Sequence, residues 1–265
     1  MKSYRAKSSA RKEGKGKHVG LARALSKLGY CSRSEAFSLI RAGKVSLNGA
    51  TPHNPETPVR LGIDCIEVEG RPIGATEKVY LVLNKSRGIV TTAEDEKGRE
   101  TVYSLLPKDL QWIAPVGRLD KASEGLLLLT NDSEWGARIT DPDSHLEKTY
   151  HVQIGTVAEP RLLESLERGV ETPNGEKLKA KRASIVRADE KHSWLEIVLA
   201  EGKNRHIRRI LDALGIEVLR LIRVAIGPLQ LGELAKGAHR ALRAEEKAAL
   251  DQVLRFSSRL GPKIP

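Results

Sequence analysis

The chain has 265 residues, 40% of them hydrophobic and 30% charged, which is typical of a soluble globular protein large enough for two domains. It has no apolar run near the roughly 20 residues of a membrane span, and no apolar segment follows the basic N-terminus as in a secretory signal, so we expect a cytoplasmic protein that does not bind membranes. The formal net charge of +11 favours nucleic acid as the partner.

Residues 1–18 hold seven lysines and arginines against a single glutamate, and they include almost no apolar residue. We predict a basic disordered tail that adds affinity for nucleic acid without sequence preference. A solvated tail without a role is the alternative.

The residue inventory argues against a metal or a cofactor. The two cysteines, Cys31 and Cys65, are far apart in sequence, and the seven histidines are scattered without metal-ligand spacing. The chain also has no glycine-rich phosphate loop and no Gly-x-Ser-x-Gly motif. We therefore expect chemistry that uses carboxylates and bases alone.

Residues 19–69 predict a small unit of two helices and a short sheet. The segment "LARALSKLGY" has apolar residues at helical spacing, and Ser32 and Glu35 have capping-box spacing for a second helix that Gly43 is suited to end. "KVSLNG" predicts a strand that enters an Asn-Gly turn, and "GIDCIEVEG" predicts another strand.

This unit resembles the S4 domain, an RNA-binding module of several translation proteins, through "LARALSKLGYCSRSEAFSLIRAGKVSLNG" and "GIDCIEVEG". The resemblance implies that the two helices and the turn after them form the RNA surface. The implied contacts are Arg23, Lys27, Arg33, Ser34, Arg41 and Lys44. A small α+β unit with ordinary surface charges is the alternative.

Residues 70–77 predict a linker, because glycine and proline replace large apolar groups there. Residues 78–256 alternate predicted strands with predicted helices, which favours an α+β domain on a mostly antiparallel mixed sheet. The strands include "KVYLVLNK", "KTYHVQI", "SWLEIVLA" and "VLRLIRVAI", and the helices are "EPRLLESLERG", "KNRHIRRILDAL" and "AEEKAALDQVL". We assign residues 257–265 to a C-terminal tail.

The first candidate for chemistry is Asp120, in "GRLDKASEGLLLLTND". Four leucines without alternation predict a strand that is buried on both faces, so Asp120 lies at the mouth of a core strand. Arg118 and Lys121 flank it, and a carboxylate beside cations stays ionised, as a nucleophile or general base must. A structural Arg–Asp pair explains the same pattern.

The second candidate is the basic segment "AEGKNRHIRRILDALG". As a helix it has an apolar stripe that includes Ile207 and Leu211, with Arg205, Arg208 and Arg209 on the opposite face. Guanidinium groups bind phosphates bidentately, although a solvated basic face is equally compatible with this pattern.

The third candidate is Tyr150, which follows Lys148 by two positions on a predicted strand. Most strand tyrosines contribute to packing. A tyrosine near a basic, carboxylate-bearing cleft is instead suited to stack on an unpaired nucleobase.

Taken together, these segments resemble the bacterial rRNA pseudouridine synthases with an N-terminal S4 domain. The match covers the chain from Val19 to about Leu242 and rests on "GRLD" with "EGLLLLTND", "KTYHV", "EGKNRHIRR" and "LIRVAIGPLQLGEL", in the family's order. The resemblance implies an isomerase that converts a specific uridine of ribosomal RNA to pseudouridine with the target base flipped out. The implied reaction requires no cofactor, and we expect a monomer that acts on free rRNA or on an assembly intermediate.

The resemblance also implies roles for individual residues. Asp120 would be the catalytic carboxylate, which either attacks the sugar or removes a sugar proton. Tyr150 would stack on the target uracil, and Leu221 would pack against its other side. Arg208, with Arg205 as second choice, would pair with Asp120. Arg118 and Lys148 would contact the RNA substrate.

Two rival functions remain at this stage. A non-catalytic RNA-binding or ribosome-assembly protein on the same scaffold could lose Asp120 or Tyr150, and this chain has both. An RNA methyltransferase would need a nucleotide-cofactor loop, and the sequence shows none.

Overall fold

A computed structural model of the chain describes residues 18–93 and 95–259, with side chains up to residue 255. The predicted tail over residues 1–18 lies, apart from His18, outside the described residues. The chain divides into two compact units at the Thr76–Glu77 boundary. No helix within the described ranges is long and apolar enough to cross a membrane.

The first unit consists of two short helices and two small sheets. Its elements are β1 (Val19–Gly20), α1 (Leu21–Lys27), α2 (Arg33–Arg41), β2 (Val45–Leu47), β3 (Pro58–Val59), β4 (Ile66–Val68) and β5 (Arg71–Pro72). Strand β1 pairs with β3, and the second sheet has the order β2-β4-β5. Strand β5 lies within residues 70–77, so the first part of the predicted linker is in fact the edge of this sheet.

Local sequence signals account for the first unit. The Ser32 hydroxyl accepts the Glu35 N–H at 3.1 Å and caps α2, as its spacing predicts. Gly43 adopts a φ of +69° just beyond this helix, where a left-handed residue ends it. Both helices bury their apolar faces in one core with β2 and β4, and Leu21, Leu25 and Ile40 are fully buried there.

The second unit is built on a nine-stranded sheet with helices beside it. Its elements in chain order are β6 (Tyr80–Lys85), β7 (Ala114–Val116), β8 (Glu124–Thr130), α3 (Ser133–Thr140), β9 (Lys148–Ile154), α4 (Pro160–Arg168), β10 (Val170–Glu171), β11 (Lys177–Leu178), β12 (Arg182–Ala188), β13 (Ser193–Leu199), α5 (His206–Ala213), β14 (Val218–Ile226), β15 (Leu229–Gln230), β16 (His239–Ala241) and α6 (Ala244–Arg259), with 3₁₀ turns at Val102–Leu105 and Pro142–Ser144. Helix α6 therefore extends into residues 257–265, the predicted C-terminal tail.

The main path of the sheet has the order β12-β13-β9-β14-β8-β6-β16. Strands β8 and β14 are parallel, and the other named pairs of this sheet are antiparallel. The predicted mostly antiparallel mixed sheet is thus confirmed. Strand β14, late in the chain, lies between β8 and β9 and joins the two halves of the sheet.

The four leucines of β8 lie at the centre of this unit, and each is fully buried. Because side chains alternate along a strand, Leu126 and Leu128 pack into one core with Trp135 of α3, whereas Leu127 and Leu129 pack into another. The predicted two-sided burial is therefore confirmed, and the strand that follows Asp120 is held rigidly from both faces.

Gly125 allows β14 to approach β8 closely. Its φ is +102°, and a Cβ at this position would lie only 2.3 Å from the carbonyl oxygen of Arg223. The pairing of β14 with β9 shifts register between Arg223 and Ala225, which is the mark of a bulge next to this contact. The glycine therefore leaves the room that the β14 backbone at Arg223 needs beside β8.

Candidate active site

A cleft of about 630 Å³ opens between the loop before β8, the strands β9 and β14, and the residues before α5. Most residues that the sequence singled out in the larger unit lie on its wall. They are Arg118, Asp120, Lys148, Tyr150, Arg205 and Leu221. Arg208 is not among the lining residues and lies beside the Asp120 turn instead.

Asp120 begins a tight turn that runs directly into β8. The Ser123 N–H donates to the Asp120 carbonyl at 2.9 Å and closes the turn. Lys85 Nζ, at the end of β6, donates to the Ser123 carbonyl at 2.8 Å, and Arg208 Nη2 of α5 donates to the Ala122 carbonyl at 3.2 Å. Two separate elements thus hold the backbone that presents the carboxylate.

The loop after β6 holds the rest of this turn. The Gly88 N–H donates to the Lys121 carbonyl at 2.8 Å. The Thr91 hydroxyl donates to the Leu119 carbonyl at 2.8 Å and accepts the Leu119 N–H at 3.3 Å. The backbone from Leu119 to Ser123 is therefore fixed by hydrogen bonds on both sides of Asp120, while the Asp120 side chain remains 31% exposed in the cleft.

The two candidate arginine partners of Asp120 differ in their surroundings. Arg205 Nη1 lies 3.9 Å from Asp120 Oδ2, with the Arg205 side chain 53% exposed. Arg208 is half-buried, and within the described residues its buried Nε has no hydrogen-bond partner. Burial lowers the pKa of Arg208, the charge of Arg205 acts in the same direction, and the charge of Asp120 opposes both.

The predicted helix therefore needs correction at its start. Helix α5 begins at His206, and Arg205 precedes it with a left-handed φ of +48°. Arg205 thus lies off the helical wheel, and Arg208 does not point freely into solvent. Only the apolar stripe is as predicted, since Ile207, Ile210 and Leu211 are buried.

Tyr150 lies on the central strand β9, directly opposite Arg223 of β14. Its ring packs at the junction of two hydrophobic cores and borders the cleft. Leu221 is 6% exposed and lies two residues before Arg223 on β14, so its side chain is on the same side of the sheet. Tyrosine and leucine thus form an apolar wall near the carboxylate.

Several buried polar residues around the cleft were not predicted from the sequence. Lys85 is fully buried, and its pKa is lowered to about 8 by burial, against the opposing charges of Asp120 and Glu124. Arg223, Ser123 and His206 are each at least nine-tenths buried and line the cleft. Two sequence features point to such residues: Lys85 ends the apolar run "YLVLN", and Arg223 lies inside the apolar segment "LIRVAI".

Glu124 is a further buried charge behind the cleft, only 4% exposed at its side chain. Arg220 donates two hydrogen bonds to it at 3.1 Å, and Lys236 lies at 2.7 Å. Burial raises the pKa of Glu124, but the hydrogen bonds from these two cations outweigh it, so that the pKa lies below its usual value. This network ties the start of β8 to β14.

Comparison with known proteins identifies the family. The model of the RNA pseudouridylate synthase family matches residues 79–213, and the model of the S4 domain matches residues 19–62. Ribosomal large subunit pseudouridine synthase B of Bacillus subtilis is 37% identical over 229 residues, which cover 85% of this chain and 93% of that protein. The chain belongs to the RNA pseudouridine synthase family.

Other relatives agree with this assignment. An uncharacterized RNA pseudouridine synthase of Aquifex aeolicus is 37% identical over 227 residues, which cover 85% of this chain and 91% of that protein. A crystal structure of a pseudouridylate synthase superposes with a TM-score of 0.62 and 30% identity, covering 88% of this chain and 99% of that one. The predicted fold class and the predicted isomerase activity are thus confirmed, and the smaller unit of the synthase is an RNA-binding S4 domain.

The six predicted RNA contacts of the S4 domain lie on or beside its two helices. Arg23, Arg33, Ser34, Arg41 and Lys44 are exposed, and Lys27 is half-buried. Lys44 Nζ donates to Glu69 at 2.8 Å in an exposed ion pair, a type of contact that contributes little to stability. In the synthase these side chains are placed where a polyanion can reach them.

Across residues 18–93 and 95–259, no group of three or more His, Cys, Asp or Glu side chains is arranged to hold a metal ion. Both cysteines have free thiols; Cys31 is buried and Cys65 is exposed. The ionisable side chains that line the cleft include Asp120, Glu201, His206 and Tyr150, together with the cations Lys148, Arg205 and Arg223.

Proposed function

We propose that this synthase converts a specific uridine of ribosomal RNA to pseudouridine, with Asp120 as the catalytic carboxylate and the target base flipped out into the cleft. The observation that carries the proposal is the position of Asp120, whose backbone is fixed by β6, by α5 and by the loop after β6 while its carboxylate borders the cleft. The name of the Bacillus relative supports ribosomal RNA as the substrate.

The reaction needs three events at one uridine. The N1–C1′ bond breaks, the uracil turns, and C5 then bonds to C1′. Asp120 assists the first event either by attack on C1′ or by removal of a sugar proton, and both roles require an ionised carboxylate at a fixed position. The flipped base costs a few kcal/mol of stacking, which RNA contacts elsewhere on the enzyme offset.

The other cleft residues have supporting roles in this proposal. Tyr150 stacks on the target uracil, and Leu221 packs against the base. Arg208 holds the Asp120 turn through the Ala122 carbonyl and stabilises the carboxylate charge, while Arg205 contacts the carboxylate directly. Arg118 and Lys148 contact the substrate, and Arg118 is exposed at the cleft mouth, where a phosphate can reach it.

We further propose that the S4 domain binds rRNA through Arg23, Lys27, Arg33, Ser34, Arg41 and Lys44, and that the basic N-terminal residues add affinity. Phosphate contacts release counterions, so RNA affinity should fall steeply with salt. The proposed substrate is free rRNA or an assembly intermediate, and the proposed enzyme is a cytoplasmic monomer that uses no cofactor.

Tritium release tests the central proposal. Large- and small-subunit rRNA transcripts tritiated at uridine C5 are incubated separately with the wild type, with Asp120→Asn and with Asp109→Asn. Isomerisation sends the C5 hydrogen to water, so we expect release by the wild type and by Asp109→Asn, an exposed carboxylate outside the cleft lining, and none by Asp120→Asn.

The outcomes separate the parts of the proposal. Release from one RNA alone identifies the substrate class. Equal release by wild type and Asp120→Asn removes Asp120 from the mechanism. No release from any transcript, followed by release from a ribosomal assembly intermediate, assigns the particle as substrate.

A further inference from the structure

Two cations of the cleft wall, Lys148 and Arg223, have no acidic partner among the described residues. Arg223 is 6% exposed; its Nε donates to the Leu126 carbonyl at 2.7 Å, and its buried Nη2 has no partner in residues 18–93 and 95–259. Lys148 is half-buried, and burial together with the charge of Arg223 lowers its pKa to about 8. Buried charge without a counterion costs free energy, and an anion bound at this place removes that cost.

Both cations lie beside the residue proposed to hold the base. Arg223 is directly opposite Tyr150 in the pairing of β14 with β9. Lys148 precedes Tyr150 by two residues on β9, so that their side chains leave the same face of the sheet. All three line the cleft. A base stacked on Tyr150 therefore has these two cations as neighbours.

The exposed cations of the cleft are suited to a different task. Arg118 and Arg205 are exposed, so that a hydrated backbone phosphate can reach them without entering the protein. Arg223, in contrast, is almost completely buried. An anion formed from the base itself fits this deeper position better than an RNA phosphate does.

We propose that Lys148 and Arg223 bind the uracil anion that forms when the N1–C1′ bond breaks. This inference rests on the proposed function. Whichever role Asp120 has, the electron pair of the broken bond leaves with N1, and the negative charge spreads over N1, O2 and O4. C5 then uses an electron pair of the anion to bond to C1′, while the bond from Asp120 to C1′ breaks if Asp120 attacked the sugar, or the removed proton returns to the sugar if Asp120 acted as a base. The C5 proton leaves to water, and N1 takes up a proton from water.

Fixed cations can accelerate cleavage of the N1–C1′ bond because the negative charge of the uracil anion is absent from the bound substrate. Uridine is neutral at its base, so the two cations stabilise the anion and the transition state before it more than they stabilise the ground state. A partly buried site strengthens this effect, since water screens the charges less there. The result is a higher rate of bond cleavage with little change in RNA affinity.

The experiment compares rates on two substrates. An rRNA transcript with uridine at the target position is compared with the same transcript containing 5-fluorouridine, whose electron-withdrawing fluorine makes the uracil anion more stable. Single-turnover consumption of the target nucleoside is followed by liquid chromatography of nuclease digests, because pseudouridine has the same mass as uridine but elutes separately. In the fluorinated substrate C5 keeps its fluorine after it bonds to C1′, and water adds at C6 in place of the loss of a C5 proton, so this product also separates from 5-fluorouridine. RNA affinity is measured by filter binding. The variants are Lys148→Gln, Arg223→Met and the charge-conserving Arg223→Lys, with Lys191→Gln as the matched control for the loss of an exposed charge.

We expect Lys148→Gln and Arg223→Met to lower the single-turnover rate on uridine about 100-fold, with the Kd for RNA within about threefold of the wild type. On 5-fluorouridine the loss should shrink to about 10-fold, because the better leaving group needs less help. Arg223→Lys should recover part of the rate, and Lys191→Gln should match the wild type. If Arg223→Met does not fold, Lys148→Gln and Arg223→Lys still give the comparison.

Four results would overturn the inference. A Kd raised by the same factor as the rate loss would assign the cations to an RNA phosphate. Equal losses on uridine and 5-fluorouridine would show a purely structural role. A wild type that converts neither transcript nor particle would remove the proposed function, whereas an active wild type with unaffected variants would remove this inference alone.

Discussion

Replacing Lys85 tests how its buried ammonium group, which holds the Asp120 turn, affects the stability of the protein. Its ammonium group is fully buried and donates to the carbonyls of Ser123 at 2.8 Å and Ser86 at 3.1 Å. Burial lowers its pKa from 10.5 to about 8. Between these values the unfolded chain binds more protons than the folded one, so the stability of the protein should rise with pH in this window.

The size of this rise in stability follows from the shift in the pKa of Lys85. The cost of holding Lys85 charged in the folded state is fully present below pH 8, is relieved progressively between pH 8 and 10.5, and is absent above the unfolded pKa. The full shift corresponds to about 3 kcal/mol. Lys85→Met removes the titrating group, so the free energy of unfolding of the wild type minus that of the variant should increase by about 3 kcal/mol from pH 7.5 to pH 10.5.

Urea unfolding followed by tryptophan fluorescence measures this difference. The three tryptophans, at positions 112, 135 and 194, all lie in the second unit, so their fluorescence reports on the unfolding of that unit. Repeating the series at higher salt is the control, because a buried charge is screened little. A difference between wild type and Lys85→Met that stays constant within about 0.5 kcal/mol across this pH range would refute the reasoning.

Four further substitutions test the site and its scaffold. Gly125→Ala places a Cβ 2.3 Å from a β14 carbonyl at a φ of +102°, so urea unfolding should show a loss above about 3 kcal/mol; a loss below about 1 kcal/mol would mean that the strands separate easily. Ser32→Ala removes the cap of α2 and should cost the S4 unit about 1 kcal/mol, measured by hydrogen exchange of the α2 amides; unchanged protection would contradict this. In single-turnover tritium release, Arg208→Gln should lose more rate than Arg205→Gln, since the half-buried Arg208 holds the turn while the exposed ion pair of Arg205 is weak; the reverse order would make Arg205 the main partner of Asp120.

The sequence predicts those parts of the fold that depend on local patterns. Four successive leucines indicate a strand buried on both faces, and each of them is fully buried in β8. The Asn-Gly pair predicts a turn that the chain makes, with Asn48 and Gly49 both at positive φ. These signals need only the backbone preferences of neighbouring residues or the period of apolar side chains.

The remaining features depend on contacts between distant segments. Arg205 fits a helical wheel, but tertiary structure places it before α5 with a left-handed backbone. Lys85 and Arg223 are buried only because other strands surround them, and no periodicity separates such residues from lysines and arginines at the surface. The family resemblance supplied the roles proposed for Asp120 and Tyr150, whereas the burial of Lys85 and Arg223 near them appears only in the structure.

The position of β14 has a consequence for the timing of activity. Asp120 precedes β8 and Tyr150 lies on β9, and these two strands are not neighbours in the sheet, because β14 lies between them. A nascent chain therefore cannot assemble the cleft until residues 218–226 have left the ribosome and inserted between strands made about 70 to 90 residues earlier. Fragments that end before β14 should therefore still bind RNA through the S4 domain but convert no uridine, so that a nascent chain can bind RNA before it can modify it.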